Sequence, residues 1–406
     1  MILRGASIVL GVTGGIASYK AVELCSRLVQ AGAVVDVIMT EAATQFVTPL
    51  PFQTLTARPV SVDQFQLLRD MDMAHIALGK KAQALVIAPA TANTIAKLAH
   101  GLADNLLTST ALSSTAPLVI APAMDADMWA HPATQANAEM LRQRGALLVG
   151  PGQGRLASGR VGLGRLVSVE EILAAVRRTL GRNGPLAGLR VMVTAGGTQE
   201  PLDPVRYLTN RSSGRMGYAV AEAARDAGAA VTLVSTPTGL ARVYGVEQVA
   251  VRTASEMRAA VLARTSETDV LVMAAAVADY RPATVADNKI KKGDGDLELQ
   301  LERTVDILLA VAEARQATDY PGLVVGFAAE TENLLANAHD KLTRKRLDMI
   351  VANDVSSSDS GFEVDSNRVT LLVPGRAPEH LPLMSKSEVG EQLVLRIADL
   401  WRSRHG

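Results

Sequence analysis

Residues 190–201 read RVMVTAGGTQEP, and residues 7–17 read SIVLGVTGGIA. Each is a short apolar, valine-rich run that stops at a glycine pair. A run of this kind fits a strand covered on both faces, and glycines at its end let the following backbone come close to an anion at a helix N-terminus. Outward from these two stretches, apolar runs alternate with helical patterns, which predicts a parallel α/β architecture built twice. In the first half, strands are expected near Ser7–Val12, Val34–Met39, Ala84–Ala88, Leu118–Ala121 and Leu147–Val149. Helices are expected between them, near 19–30, 93–98, 105–112 and 133–144. SVEEILAAVRRTL then reads as an amphipathic helix with Ser168 as N-cap and Glu171 three positions on. The second half adds strands near Val231–Ser235, Val270–Ala274, Leu323–Phe327, Met349–Ala352 and 368–373, and a final helix near 388–401. LELQL (297–301) alternates strictly and predicts an antiparallel ribbon.

At 406 residues the chain exceeds what one hydrophobic core supports, so two domains are expected. The turn-rich GRNGPLAG (181–188) marks the linker, leaving domains at 1–180 and 189–406. Lys plus Arg and Asp plus Glu are 41 each, a net charge of zero that gives no reason to expect nucleic-acid or membrane binding. Cys25 is the one cysteine, which excludes an internal disulfide framework and a Cys-cluster metal site. No run approaches the roughly 18 apolar residues of a membrane span, and a strand so near the start leaves no room for a signal peptide. A cytoplasmic protein is expected.

In GVTGGIASYK, the spacing of Gly11, Gly14 and Gly15 departs from the dinucleotide fingerprint, and Thr40 stands where an acid would hold the adenosine ribose. NAD is disfavoured and a mononucleotide phosphate fits better. APATANTIAKLAHGLADNLLT (88–108) and APAMDADMW (121–129) place proline, small residues and side-chain amides or carboxylates just after two further strands, where an open parallel sheet gathers its loops into one crevice.

Together with DMAHIAL (72–78), these segments make residues 5–178 resemble the flavin-containing cysteine decarboxylases. The resemblance implies a flavodoxin-like fold and FMN held by Gly14, Gly15, Ile16, Ser18, Thr40, Ala90, Thr91, Asn93 and Thr108. It implies substrate contact at Met124 and a base or orienting group in His75. Flavin is needed because a carbanion left by CO2 has nowhere to place its charge until the cysteine side chain is oxidised to a thioaldehyde. Two positions depart from the family. Ser158, in RLASGRVGLGRL (155–166), stands where the family has a proton-donating cysteine, and a hydroxyl is a far weaker acid than a thiol. Asp125 stands where an asparagine would meet the substrate carboxylate, so repulsion requires it to be protonated or turned aside. Both are taken as catalytic, with Ser158 relaying a proton from water.

The second half, from about residue 188 on, resembles the phosphopantothenate–cysteine ligases. TAGGTQEPLDPVRYLTNRSSGRMG (194–217), AAAVADYRP (274–282), KIKK (289–292), GFAAET (326–331), KLTRKRLD (341–348) and ANDV (352–355) carry the likeness. Asn210, Arg211, two serines and Gly214 at a helix start suit an anion, and no Walker motif occurs. The resemblance implies catalytic roles for Asn210, which binds the acyl intermediate, and Lys289, which neutralises phosphate charge. Arg206 would lie beside the substrate. Met273, Ala274, Ala275, Asp279, Val305, Asp306, Ile307, Leu308, Phe327, Lys341 and Lys345 would line the nucleotide site, with Lys289; Val305 replaces a family proline. Mg²⁺ is expected to arrive with the triphosphate; CTP follows from the resemblance, while residue types alone leave ATP open.

The fold expected is therefore α/β, with two doubly wound Rossmann-like domains: an N-terminal flavodoxin-like flavoprotein and a C-terminal ligase with an added antiparallel ribbon. The implied enzyme is bifunctional. It joins cysteine to 4'-phosphopantothenate through an acyl-nucleotidylate and then decarboxylates 4'-phosphopantothenoylcysteine to 4'-phosphopantetheine, two steps towards coenzyme A. An active ligase fused to a flavin-binding module without turnover is the alternative that Ser158 and Asp125 leave open. A homo-oligomer, a dodecamer by resemblance, is implied.

Overall fold

Every residue of Ala84–Ala90 is buried, as is each residue of Val270–Met273. Unbroken burial along a strand requires helices on both faces of its sheet, and each half of the chain supplies them. The computed structural model describes residues 2–64, 73–292, 296–330, 333–354 and 365–405. These form two compact units, Met1–Gly181 and Arg182–Gly406.

The first unit contains β1 (Ser7–Val12), β2 (Val34–Met39), β3 (Val60–Ser61), β4 (Ala84–Ala90), β5 (Leu118–Pro122) and β6 (Leu147–Leu148) in the order β3-β2-β1-β4-β5-β6, all parallel. β3 is a two-residue edge; without it the order is that of flavodoxin, with the direction of winding reversing between β1 and β4. β7 (Gly152–Arg155) and β8 (Val161–Arg165) form a separate antiparallel hairpin. The helix Val169–Gly181 opens with the expected reciprocal cap: the Glu171 amide donates to Ser168 Oγ at 3.1 Å and the Ser168 amide to Glu171 Oε2 at 3.3 Å.

The second unit continues with β9 (Arg190–Ala195), β10 (Gln199–Pro201), β11 (Tyr207–Thr209), β12 (Ala230–Ser235), β13 (Glu247–Ala250), β14 (Val270–Met273), β15 (Tyr280–Pro282), β16 (Leu301–Arg303), β17 (Leu323–Glu330), β18 (Met349–Asp354), β19 (Ser366–Asn367), β20 (Val369–Leu372), β21 (Glu379–His380) and β22 (Met384–Ser385). Its main sheet runs β13-β12-β9-β14-β17-β18-β20-β21, parallel as far as β18 and antiparallel beyond. The parallel part has the doubly wound order 3-2-1-4-5-6, and its winding reverses between β9 and β14. The last helix, Lys386–His405, packs so closely on Arg215–Asp226 that a Cβ on Gly390 would stand 2.8 Å from the Ala219 carbonyl.

The ribbon differs from its expected place. β15 pairs with β16, so that only Leu301 of 297–301 lies in a strand and residues 297–300 are outside any strand. In the turn-rich stretch 181–188, Gly181 ends a helix, whereas Leu186 is fully buried in the second unit's core and donates its amide to Ala227 at 3.0 Å.

Candidate active sites

In each unit the loop after the central strand is tied to the loop after its neighbour across the winding reversal. The Thr13 hydroxyl donates to the Pro89 carbonyl at 2.7 Å and accepts the Thr91 amide at 3.1 Å. In the second unit Thr194 Oγ1 accepts the Ala275 amide at 3.1 Å, and Thr198 Oγ1 accepts that of Ala278 at 2.9 Å. These bonds hold open a cleft at the C-terminal edge of each sheet, where open α/β sheets bind ligands.

The first cleft, about 770 Å³, is lined by Gly14, Gly15, Ile16, Thr91, Met124 and Asp125 among others. The turn is close-packed on one side and open on the other. A Cβ on Gly14 would lie 2.5 Å from that of Ala42, whereas one on Gly15 would meet only Thr91 Cγ2, at 3.8 Å. Ala17 precedes the helix Ser18–Gln30 without a side-chain cap, so the positive end of that helix is left for an anion. Ile16 and Met128 present apolar surface, 63% and 50% exposed, and Lys20, Arg155 and Arg165 supply charge. A flat, largely apolar molecule with a phosphate fits these residues, as FMN would.

Several expected contacts are spent elsewhere. Ser18 is fully buried; its hydroxyl lies 2.8 Å from the Thr13 carbonyl and 2.6 Å from that of Gly15, so it braces the turn. Thr108 is buried in a capping box with Asn105. Thr40 caps the turn Glu41–Thr44, taking the Ala43 amide at 3.3 Å. Ala90 is buried in β4 and Asn93 is exposed on the following helix, both outside the cleft lining. His75, second in the helix Ala74–Lys81, also lies outside it; its Nδ1 is buried with no hydrogen-bond partner among the described residues. Asp125 caps the helix Ala126–Ala130 through the Asp127 amide and accepts the Ser158 hydroxyl at 2.8 Å. The Asp127 amide, then the Ser158 hydroxyl, and also the Arg160 charge hold its carboxyl below the usual range. Asp125 is therefore ionised, and engaged with Ser158. Cys25 is fully buried, and burial pushes its thiol up to about 11, so it offers no substitute acid.

The second cleft, about 500 Å³, is lined by Asn210–Gly217, Met273–Val277, Asp279, Thr304–Leu308, Phe327, Lys341 and Lys345. Gly214, at φ +75°, precedes the helix Arg215–Asp226, again without a side-chain cap. Gly217 lets that helix lie on β9, where a Cβ would come within 2.6 Å of the Ala195 methyl. Asp306 caps the helix Ile307–Thr318 through the Leu308 and Leu309 amides, and Lys345 Nζ is 2.9 Å from its Oδ2. Asn353 and Asn367, both buried, line the same cleft with side-chain oxygens that have no partner among the described residues. Sequence reasoning missed them. The Asn210 amide group donates to the Val277 carbonyl at 3.1 Å.

Lys289 and Arg206 are not in this lining. Lys289 is exposed, and the Arg206 guanidinium donates to the Ile290 carbonyl at 2.9 Å. Asp203, also missed, fixes this region. Its buried carboxylate accepts the amides of Val205, Arg206 and Ile290 at 2.7, 2.8 and 3.1 Å. Thr331 and Val355, at the ends of two quoted motifs, and Asp72 lie outside the described residues.

Comparison with known proteins covers both units. The family model described as Flavoprotein matches residues 2–181, and that described as DNA/pantothenate metabolism flavoprotein C-terminal domain matches residues 186–400. The coenzyme A biosynthesis bifunctional protein CoaBC of Bacillus subtilis is 45% identical over 98% of this chain and 98% of its own. That of Escherichia coli K12 is 45% identical over 97% of each. The crystal structure of a CoaBC C-terminal domain, 40% identical, covers 54% of this chain and 99% of its own with a TM-score of 0.46.

Proposed function

The chain belongs to the family of bifunctional coenzyme A biosynthesis proteins, and from that premise we propose how its two units divide two consecutive reactions. The C-terminal unit joins cysteine to 4'-phosphopantothenate, consuming CTP through an acyl-nucleotidylate. The N-terminal unit decarboxylates the resulting 4'-phosphopantothenoylcysteine to 4'-phosphopantetheine with FMN. Working boundaries are 1–180 and 189–406, joined by 181–188.

One observation carries this reading. In each unit, the helix after the glycine turn begins without a side-chain cap and its first residues line the cleft at the winding reversal. Such an end binds phosphate through free amides and the helix dipole. In the ligase cleft, Arg211–Gly214 would cradle the triphosphate, and Lys341 and Lys345 would offset its charge. Phe327 and Met273–Ala275 would pack against the nucleoside. Asn210 would hold the acyl intermediate, with Arg206 and Lys289 brought to the substrate from the segment that Asp203 fixes. Mg²⁺ would come with the triphosphate.

In the flavin cleft, Gly14–Ala17 would take the FMN phosphate, and Thr91, Ile16 and Met124 would border the ring. Bound flavin supplies an acceptor and donor of hydride. His75 would orient or deprotonate the substrate, and Lys20, Arg155 and Arg165 would attract its anionic groups. A cytoplasmic homo-oligomer, a dodecamer by family resemblance, completes the reading.

The test is direct. Purified protein given 4'-phosphopantothenate, cysteine and CTP should release pyrophosphate and CO2 and yield a mass matching 4'-phosphopantetheine. Pyrophosphate without CO2 would leave a ligase alone, and neither product would overturn the reading.

A further inference from the structure

Ser158 and Asp125 come from separate elements and meet. Ser158 lies in the turn between β7 and β8, and Asp125 at the start of Ala126–Ala130. Ser158 Oγ donates to Asp125 Oδ2 at 2.8 Å, while Asp125 Oδ1 takes the Asp127 amide at 3.1 Å. Both line the first cleft, and Asp125 is the one carboxylate among the described residues lining it. The other ionisable side chains lining it are the phenol of Tyr19, the amine of Lys20 and the guanidinium groups of Arg155 and Arg165. Among the described residues lining this cleft, Asp125 is therefore the carboxylate placed to accept a proton from a bound molecule.

The decarboxylation assigned to this unit requires such an acceptor, and later a donor. Oxidising the substrate CH2–SH to CH=S removes a hydride from Cβ, for which bound flavin would be the acceptor and later the donor, and the S–H proton, for which a base is needed. The bond from Cα to the carboxylate then breaks, and its electron pair passes into C=S to leave an ene-thiolate and CO2. Protonation at Cα restores C=S, and the hydride returned to Cβ gives a thiolate that takes its proton from water. The sum is one proton consumed for each CO2 released, with the flavin and the base unchanged.

We propose that Asp125 and Ser158 act as one proton-carrying pair: the Asp125 carboxylate receives the S–H proton through the Ser158 hydroxyl and returns it along the same path to Cα. The proposal rests on the decarboxylase reading of the N-terminal unit. A serine hydroxyl alone is too weak an acid and too weak a base for either transfer at neutral pH. Joined to a carboxylate, it only passes the proton on. Asp125 is held ionised before turnover, and once protonated it is a strong donor towards the ene-thiolate. The two positions at which this chain departs from the decarboxylase pattern thus form a single device.

The experiment uses the full-length flavin-loaded enzyme with 4'-phosphopantothenoylcysteine in anaerobic single turnovers, counting products by mass for each CO2 released. Wild type should give mainly the saturated thiol. Asp125→Asn and Ser158→Ala should each slow CO2 release and, in the product that forms, raise the ene-thiol share at least tenfold, and the double variant should go no further than the more affected single one. Retained flavin absorbance shows that each variant is folded. A second measurement uses flavin-free protein and carbon-13 titration of the Asp125 carboxyl. That group faces the Asp127 amide, the Ser158 hydroxyl and Arg160, and shares its cleft with Lys20, Arg155 and Arg165. Its midpoint should rise in Ser158→Ala. CO2 release with an unchanged ene-thiol share, additive effects of the two substitutions, or an unmoved midpoint would overturn the pair while leaving the decarboxylase reading intact. No CO2 from wild type would overturn both.

Discussion

The Thr13 hydroxyl accepts the Thr91 amide at 3.1 Å, so the glycine turn after β1 and the loop after β4 are held by one buried oxygen. The same oxygen gives its hydrogen to the Pro89 carbonyl at 2.7 Å. Thr194 does comparable work in the second unit, taking the Ala275 amide at 3.1 Å. Thr13→Val keeps the shape and leaves a buried donor and acceptor unpaired, a cost of roughly 1–3 kcal/mol. Because both loops border the flavin cleft, FMN affinity should fall about tenfold, while Thr13→Ser should stay near wild type. Fluorescence titration with FMN and urea unfolding check this. Undiminished FMN binding by Thr13→Val would show that the bond does not shape the site.

Asp203 gives a pH dependence whose sign can be worked out. Burial by itself would raise its carboxyl, but the Val205, Ile290 and Arg206 amides, helped by the Arg206 charge, outweigh that and hold it below the usual range. The unfolded chain titrates this group near about 3.9 and so binds the proton first as pH falls. The stabilisation is therefore present above the unfolded value and is lost as pH drops through the lower folded one. Asp203→Asn should be less stable than wild type at neutral pH, and the gap should narrow as pH falls below the unfolded value and through the lower folded one. Urea unfolding at a series of pH values measures it; a gap independent of pH would contradict the assignment.

Cys25 should be inert in the native protein. Burial raises its thiol to about 11 and leaves none of its surface exposed, and the thiolate is the reactive form. A thiol reagent at about pH 8 should label native protein at least a hundredfold more slowly than urea-unfolded protein, in which the thiol titrates near about 8.5. The raised value also means that stability is complete below the unfolded thiol's range and declines as pH climbs towards about 11. Rapid native labelling would place Cys25 nearer the surface than its packing allows.

What was legible in the sequence follows from what fixes each feature. The strands that open the two units, Ser7–Val12 and Arg190–Ala195, are apolar runs closed by glycines, and both signals are local. LELQL has the alternation of a ribbon strand, but only its last residue, Leu301, is in β16, because the pairing partner that sets the register, Tyr280–Pro282, is remote in sequence. Residue type also cannot show where a hydroxyl is spent. Ser18 and Thr108 have the chemistry of phosphate ligands, yet one braces a turn and the other closes a capping box. Asp203 was within reach, since an aspartate followed by proline commonly accepts amides two and three residues on. The meeting of Ser158 with Asp125 was not, because it depends on how the β7–β8 hairpin folds back over the helix start at residue 125.

Lys345 and Asp306 test whether a pair inside the ligase cleft is already partly neutralised. Lys345 Nζ lies 2.9 Å from Asp306 Oδ2, and Asp306 Oδ1 caps the helix Ile307–Thr318. Asparagine caps a helix about as well as aspartate, so Asp306→Asn should preserve the helix and release the lysine. A partly exposed pair of this kind is worth about 0.2–1 kcal/mol, so CTP affinity should rise by up to about fivefold. Lys345→Ala should lower it by about tenfold. The double variant separates two causes of the gain. If Asp306 acts by holding Lys345, adding Asp306→Asn to Lys345→Ala gains nothing; if it acts by repelling the triphosphate directly, the gain persists. Calorimetric titration of CTP into the three variants distinguishes them, and weaker binding by Asp306→Asn would contradict both.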